Sequence, residues 1–284
     1  MKPPIAYYGG KTYHAPWILD VIKRYEFKLY VEPFGGSGAV LFAKEPSPVE
    51  VYNDLYSDLV TFYRVLRNPK TYKEFVRFVE NSPYSRELFY ESKEALAHKR
   101  LSQVERAGHF YILARQSFSN LQTHWSAVGK IIKTQARPYR NTIDRLPEIH
   151  ERLRNVHIEH KDAIDCIKHY AHPKGLIYCD PPYVSGTRVS TAAYKHEYTD
   201  EQHHQLIETL LTIPGHKILS GYESPIYVPL LKAGWTLVTK RVCCYSALTK
   251  LAGKRSYRTE CLYCSPPPDL ENNHAKSKQL RLYS

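Results

Sequence analysis

Short apolar runs alternate with segments of helical spacing along most of the chain. Five of these runs predict strands, at 28–34, 49–54, 156–161, 175–180 and 217–221. Two later runs, at 235–245 and 256–265, predict a hairpin around a basic loop. Because strands that alternate with helices usually pair in parallel, the pattern predicts an α/β fold. We expect a mostly parallel sheet that ends in an antiparallel hairpin.

One long segment interrupts this alternation. From Ser57 onward, apolar residues recur three and four positions apart, as on one face of a helix: Leu59, Phe62, Tyr63 and Leu66. A helical module of about a hundred residues, the size of a small domain, is therefore predicted between the second and third strands. The predicted units are a sheet domain at 1–56 and 156–268, the helical module at 57–155, and a polar tail at 269–284.

Composition and charge narrow the class of protein. Hydrophobic residues make up 43% of the 284 residues, which suffices for a sizeable core. No apolar run reaches the roughly 18 residues of a membrane span. The N-terminus lacks the apolar stretch of a secretory signal, so we expect a cytoplasmic protein. The net charge of +12 and two acid-free stretches, 106–143 and 224–259, favour nucleic acid as a partner.

The cysteines raise the question of a metal site. Cys243-Cys244 and the later pair Cys261 and Cys264 have a spacing that zinc sites also show. Both pairs lie in predicted strands, where successive side chains point to opposite faces of the sheet. We therefore expect no metal, and no disulfide in a reducing compartment.

A glycine-rich loop follows the first predicted strand and consists of Gly35, Gly36, Ser37 and Gly38. Glycines at such a place let the backbone approach a ligand. Asp54 follows about twenty residues later, where a carboxylate binds ribose hydroxyls in Rossmann-like folds. The loop lacks the Gly-x-Gly-x-x-Gly spacing that holds a pyrophosphate, which favours a nucleoside without phosphates, such as S-adenosylmethionine. A plain strand-to-helix turn is the alternative.

A second motif, Asp180-Pro181-Pro182-Tyr183, ends the fourth predicted strand, where ligands bind in such sheets. An exocyclic aromatic amine is a weak nucleophile because its lone pair is delocalised into the ring. Two acceptors that take both amine hydrogens favour a pyramidal nitrogen, and the Asp180 carboxylate and the Pro181 carbonyl supply them. The prolines preset the direction of that carbonyl. Tyr183 offers a face on which a flipped base can stack, and the alternative is a proline turn with an incidental aspartate.

Together these motifs resemble the DNA adenine methylase (Dam) family of N6-adenine methyltransferases. The resemblance runs from Tyr7, where the family usually has tryptophan, to about Pro266. It is carried by Ala6-Tyr7-Tyr8-Gly9-Gly10-Lys11, Glu32 to Gly38, Asn53-Asp54 with Asp58-Leu59, and Asp180 to Tyr183. The resemblance implies a Rossmann-like, S-adenosylmethionine-dependent methyltransferase fold, α/β in class, with an inserted helical domain that recognises the DNA target.

The resemblance also implies roles for individual residues. Methyl transfer to N6 of a flipped adenine in duplex DNA falls to Asp180, Pro181, Pro182 and Tyr183, without a metal. The cofactor is held by Tyr7, Lys11, Glu32, Phe34, Gly35, Gly36, Ser37, Gly38, Asp54, Asp162 and Asp180. DNA contacts are implied for Arg115, Asn120, Gln122, Trp125, Lys130, Lys133 and Arg137, and in the hairpin loop for Lys250, Lys254 and Arg255.

Four alternatives stay open at this point. The same chemistry serves cytosine N4, amines in RNA and glutamine amides in proteins. A regulator that keeps the fold and binds DNA without catalysis is another possibility. A nicotinamide-dependent oxidoreductase is disfavoured by the missing pyrophosphate fingerprint. We expect a monomer of prokaryotic or phage origin, and the sequence does not show whether a restriction endonuclease accompanies it.

Overall fold

A sheet of seven strands organises the chain. The computed structural model describes residues 1–7, 9–97, 100–118, 122–126, 135–184, 197–244 and 256–266. The strands are β1 (Leu29–Glu32), β2 (Val49–Asn53), β3 (Val156–Glu159), β4 (Gly175–Cys179), β5 (His216–Gly221), β6 (Thr236–Cys244) and β7 (Ser256–Cys264). Their order across the sheet is β3-β2-β1-β4-β5-β7-β6. Strands β1 to β5 pair in parallel, and β7 runs antiparallel to both β5 and β6. All seven predicted strands and the predicted hairpin are confirmed.

Helices cover both faces of the sheet. They are α1 (Ala15–Ile22), α2 (Ala39–Ala43), α3 (Ser57–Arg67), α4 (Pro69–Glu80), α5 (Arg86–Ala97), α6 (Gln103–Gln116), α7 (Ala136–Ile143), α8 (Leu146–Leu153), α9 (Ala163–Tyr170), α10 (Asp200–Thr212) and α11 (Val228–Lys232). Pro69 takes the first position of α4, where its missing N–H costs nothing, and Asn68 caps that helix. Within the described part of the chain, no helix is long and apolar enough to cross a bilayer.

Two apolar cores form because neighbouring strand residues face opposite sides of the sheet. In β1, Tyr30 packs into the core beneath α1, α3 and α6, whereas Val31 packs into the core beneath α9 and α10. Burial on both faces explains why these strands are almost wholly apolar.

The predicted helical module is present as α3 to α8, but its first helix belongs with the sheet. The Tyr63 hydroxyl in α3 donates a hydrogen bond of 2.7 Å to the Ser37 carbonyl. Arg67, also in α3, donates at 2.9 Å to the carbonyl of Val156 in β3. Residues of α3 and α6 share one core with the strands. The boundaries at 57 and 155 stay a proposal about autonomous units, since the structure shows a continuous core across the first of them.

The strand order reverses between β1 and β4. The chain proceeds from β1 outward to β2 and β3 on one side, and then crosses to β4 and β5 on the other. Loops that leave the carboxyl ends of β1 and β4 therefore diverge and leave a crevice between them. Ligands bind at this switch point in open α/β sheets, and both sequence motifs lie there.

Candidate active site

A cavity of about 130 Å³ opens at the switch point. It is lined by the loop after β1, the ends of β2 and β4, the start of α9 and the N-terminal segment. The lining residues are Tyr7, Gly9, Gly10, Lys11, Glu32, Pro33, Phe34, Gly35, Gly36, Ser37, Ala39, Val40, Asn53, Asp54, Leu55, Lys161, Asp162, Ala163, Tyr178, Asp180, Pro182, Glu197, Tyr198 and Gln202. Except for Gly38, Pro181 and Tyr183, every residue predicted for the cofactor or for catalysis lines this one cavity.

The glycine loop keeps an unusual backbone shape at the cavity wall. Gly36 and Gly38 have positive φ values of 50° and 65°, a region that side chains other than glycine disfavour. The Tyr52 hydroxyl donates at 2.6 Å to the Gly36 carbonyl, and the Gly36 N–H donates at 2.8 Å to Oδ2 of Asp54. A Cβ on Gly35 would lie 2.2 Å from the Tyr52 ring. The loop is therefore held from below and presents bare backbone to the cavity.

Two carboxylates follow the ends of β2 and β3. In Asp54, Oδ1 accepts a hydrogen bond of 2.8 Å from the Tyr56 N–H, in addition to the bond from Gly36. Asp162 caps α9, and its Oδ1 accepts from the Ile164 N–H at 2.8 Å. Each carboxylate oxygen accepts more than one hydrogen bond, so both groups keep acceptor capacity toward the cavity. The backbone bonds fix where these acceptors lie.

Glu32 ends β1 at the cavity and is 2% exposed. The Tyr30 hydroxyl donates to its Oε1 at 2.7 Å. Burial raises the pKa of Glu32 to about 8, although the Tyr30 hydrogen bond and the Lys44 charge oppose that rise. A buried carboxylate in this state is stabilised by a cation placed beside it. The cavity is thus electrostatically suited to a positively charged ligand.

Asp180 follows β4 directly and forms an ion pair inside the cavity. The Lys11 Nζ lies 2.9 Å from its Oδ1, and the two side chains are 8% and 17% exposed, respectively. Burial raises the pKa of Asp180, and the neighbouring Lys11 ammonium opposes that rise. Lys11 also donates to the Gly9 carbonyl at 3.2 Å. The structure therefore joins the N-terminal segment to the proline motif through one ammonium group, and a Lys11 contact to a cofactor stays a prediction.

Tyr183 lies in a buried polar network beside Asp180. Its hydroxyl lies 2.9 Å from the Ser220 Oγ and donates at 2.9 Å to Glu260. Tyr222 packs edge-on to its ring at 4.7 Å, and the Lys11 Nζ lies 4.5 Å from the ring centre. Because Tyr183 is only 5% exposed, a base can stack on it only if one of these side chains moves. Stacking on Tyr183 remains a prediction that carries this condition.

Glu260 and Ser220 were missed by the sequence analysis. Ser220 lies near the end of β5, and Glu260 lies in β7 before the apolar residues that pair with β5. A carboxylate inside an otherwise apolar strand was the available signal, because buried acids need partners. The partner, Tyr183, was not deducible without the register between β5 and β7.

The residues assigned to DNA contacts lie outside the catalytic cavity or outside the described residues. Asn120, Lys130, Lys133, Lys250, Lys254 and Arg255 are in the second group. Arg137 is exposed at the start of α7, and Arg115 is half-buried at the end of α6. Gln122 has a positive φ of 57°, and Trp125 forms an isolated bridge with Ser117. The described members therefore surround the end of α6, and their contacts with DNA stay a prediction.

Comparison with known proteins gives two matches. A family model described as D12 class N6 adenine-specific DNA methyltransferase matches residues 7–230. The chain is also 25% identical over 225 residues to a type II methyltransferase, M.MjaIII, of Methanocaldococcus jannaschii. That alignment covers 71% of this chain and 76% of the relative. The family match includes the whole cavity lining, whereas Glu260 and the β6–β7 hairpin lie beyond it.

Proposed function

The chain belongs to the D12 class N6 adenine-specific DNA methyltransferase family, and on that basis we propose how its cavity transfers a methyl group to adenine N6. Membership makes it a DNA methyltransferase. The observation that supports the mechanism best is the position of Asp180, whose carboxylate lies in the same cavity as the glycine loop. One cavity thus combines a nucleoside cradle with an acceptor for an amine.

The residues present fit S-adenosylmethionine. The wall at Gly35 and Gly36 lacks the Cβ atoms that would fill it, and Asp54 and Asp162 place acceptors for ribose and adenine at the strand ends. Glu32 supplies buried negative charge for a cation. When bound, S-adenosylmethionine supplies an electrophilic methyl group on its sulfonium centre.

The chain's own groups act on the adenine amine. Asp180 accepts one N6 hydrogen and the Pro181 carbonyl accepts the other, which directs the nitrogen lone pair away from the ring plane. The Asp180 carboxylate also stabilises the positive charge that develops on N6 and is placed to hold the proton that N6 loses. Lys11 keeps this carboxylate ionised in its buried setting. Because the base must reach a cavity inside the protein, we include flipping of the target nucleotide in the proposal.

Cofactor affinity should rise with pH through the titration of Glu32. At neutral pH the raised pKa of about 8 keeps most of this carboxyl protonated in the free protein. A cationic ligand favours the ionised form, so binding expels a proton and the affinity increases by up to about tenfold per pH unit below the free pKa. Calorimetric titrations with S-adenosylmethionine between pH 6.5 and 9 measure this slope. In Glu32→Gln the slope should vanish, and a slope that persists there would assign the titration to another group.

Adding a methyl group at Gly35 should damage both the loop and the cofactor site. The new Cβ meets the buried Tyr52 ring at 2.2 Å, and the hydrogen bond from Tyr52 to the Gly36 carbonyl resists movement of that ring. Gly35→Ala should lower the free energy of unfolding by about 1–3 kcal/mol and weaken cofactor binding. Urea unfolding and calorimetry measure the two effects.

Gly234→Ala is the matched control for Gly35→Ala. Gly234 has a φ of 88°, but an added Cβ would meet no atom within 4 Å, and the residue lies outside the cavity. Its substitution should cost stability through backbone strain alone and leave cofactor affinity unchanged. Equal cofactor affinity in wild type and Gly35→Ala would contradict the proposed cradle.

A methylation assay on three substrates tests the proposed function as a whole. Purified protein is incubated with labelled S-adenosylmethionine and duplex DNA, RNA or a protein extract, and modified bases in the DNA are mapped by single-molecule sequencing. The expected product is N6-methyladenine within one defined sequence, as the name of the type II relative suggests. Methylation of cytosine N4, label in RNA or protein only, or DNA binding without transfer would each overturn the proposal.

A further inference from the structure

A second polar cavity lies beside the first, at the end of α6, and has a volume of about 150 Å³. This is far above the roughly 10–15 Å³ that one water molecule requires, so the cavity has room for a group of several heavy atoms. Its polar lining comes from Tyr84, Arg115, Ser117, Ser126, Gln135 and Tyr139. None of these six side chains carries negative charge at neutral pH, and each offers at least one hydrogen-bond donor.

Arg115 gives this cavity an uncompensated positive charge. Its NH2 group donates at 3.2 Å to the Pro138 carbonyl, and its enclosed Nε reaches no acceptor among the described residues. In the described structure Arg115 forms no ion pair, and burial lowers the pKa of its guanidinium. The sequence between Arg106 and Ile143 contains no aspartate or glutamate, so no nearby stretch of chain supplies one either. A buried cation without a counter-charge is costly unless an anion completes it.

Tyr139 adds a second unsatisfied donor at the same place. The residue is 2% exposed, and its hydroxyl has no hydrogen-bond partner within normal geometry among the described residues. Arg115 itself is half-buried, so its guanidinium is reachable from outside. The cavity therefore combines a fixed guanidinium with hydroxyl and amide donors, which is the chemistry that binds a phosphate group.

The location connects this cavity to the catalytic one. Ala6 lines the second cavity, and its neighbour Tyr7 lines the first. Consecutive residues are 3.8 Å apart at Cα, so the two cavities lie on either side of one short segment. A strand of DNA whose base enters the first cavity brings its own backbone phosphates close to the second.

We propose that the cavity around Arg115 binds a backbone phosphate of DNA next to the nucleotide whose base enters the catalytic cavity. This inference rests on the proposed function, and it adds a specific anchor on the same strand. A phosphate contact fixes position without reading sequence, so the anchor acts equally on every DNA that the protein engages. It holds the backbone while the nucleotide rotates out of the duplex.

The salt dependence of DNA binding tests the anchor. Arg115→Met should weaken binding about ten- to hundredfold, the effect of losing one charge-assisted contact. It should also reduce the slope of log affinity against log salt concentration by about one. Arg115→Lys keeps the charge but loses the planar fork, so its slope should stay near wild type while affinity falls less. Thermal denaturation establishes that each variant is folded.

Arg154→Met is the matched control. Arg154 immediately precedes β3, at the sheet edge opposite the catalytic cavity, and its ion pair with Glu151 is exposed. Its removal should change neither the affinity nor the salt slope. An unchanged slope in Arg115→Met, or an equal loss in Arg154→Met, would overturn the inference.

Inorganic phosphate separates a DNA phosphate from a free anion. If phosphate stabilises the wild type in thermal denaturation but Arg115→Met binds DNA normally, the cavity is a site for free anions and the inference is wrong. Adenine methylation at low salt and saturating DNA is measured on the same samples. Normal methylation with an unchanged salt slope would remove the anchor and leave the proposed function intact, whereas an Arg115-dependent slope without methylation would do the reverse.

Discussion

Replacing Asp180 by alanine is expected to abolish methyl transfer while the protein still folds and binds its cofactor. Asp180 is the carboxylate proposed to accept an N6 hydrogen and to stabilise the charge that develops on that nitrogen. Removing one fixed group that stabilises transition-state charge typically costs about 10²–10³-fold in rate. Here the loss should reach the upper end, because Asp180 serves both as acceptor and as charge. Single-turnover methylation of duplex DNA measures the chemical step without product release.

Asparagine at position 180 separates those two contributions. Asp180→Asn keeps an acceptor oxygen in place but removes the negative charge, so it should retain more activity than Asp180→Ala at every pH. Both substitutions leave the Lys11 ammonium without its partner at 2.9 Å, which is costly in a buried site.

The double variant Asp180→Ala with Lys11→Met controls for that cost. It removes both charges, should recover stability relative to Asp180→Ala, and should stay inactive. Full activity in Asp180→Ala would refute the catalytic assignment, and recovery of activity in the double variant would trace the defect to the stranded ammonium.

The sequence predicted the fold because the decisive information is local. The apolar runs have the length of buried strands, and the spacing of Leu59, Phe62 and Leu66 is that of a helix face. The two motifs were placed correctly at strand ends, since ligands in open α/β sheets bind there. The common cavity followed from topology once β1 and β4 were neighbours.

What the sequence did not predict depends on contacts between distant segments. The bond from Tyr183 to Glu260 joins residues 77 positions apart and requires the observed pairing of Ser220 with Leu262. The Lys11–Asp180 ion pair likewise depends on where the N-terminal segment lies over the sheet. Periodicity gives the face of a strand that is buried, but not the side chain that meets it across the core.

The domain boundary shows the same limit from another side. Helical spacing identified Ser57 as the start of a helical segment, and α3 does start there. Spacing could not show that α3 packs on the sheet, which depends on the tertiary bond from Tyr63 to the Ser37 carbonyl. The beginning of a helical pattern and the beginning of an independent unit are different properties of a chain.

Lys11→Met should move the pH dependence of methylation to higher pH. Burial already raises the pKa of Asp180, and the Lys11 ammonium is the largest influence that lowers it. Without this ammonium the pKa rises further, and a protonated Asp180 no longer accepts an amine hydrogen with a carboxylate. Activity that needs the ionised form is lost as pH falls through the pKa, so the acid limb of the rate profile shifts upward. At neutral pH we expect a rate loss of at least about tenfold, recovered in part at alkaline pH.

Lys11→Arg keeps the positive charge, and its acid limb should stay near that of wild type even if its maximal rate falls. The alternative role for Lys11, a direct contact to the cofactor, predicts a different result. In that case Lys11→Met would raise the KM for S-adenosylmethionine at every pH and leave the acid limb in place. Because the shift follows the charge beside Asp180 and the KM effect follows a contact to the cofactor, rate profiles of wild type and both variants decide between the two roles.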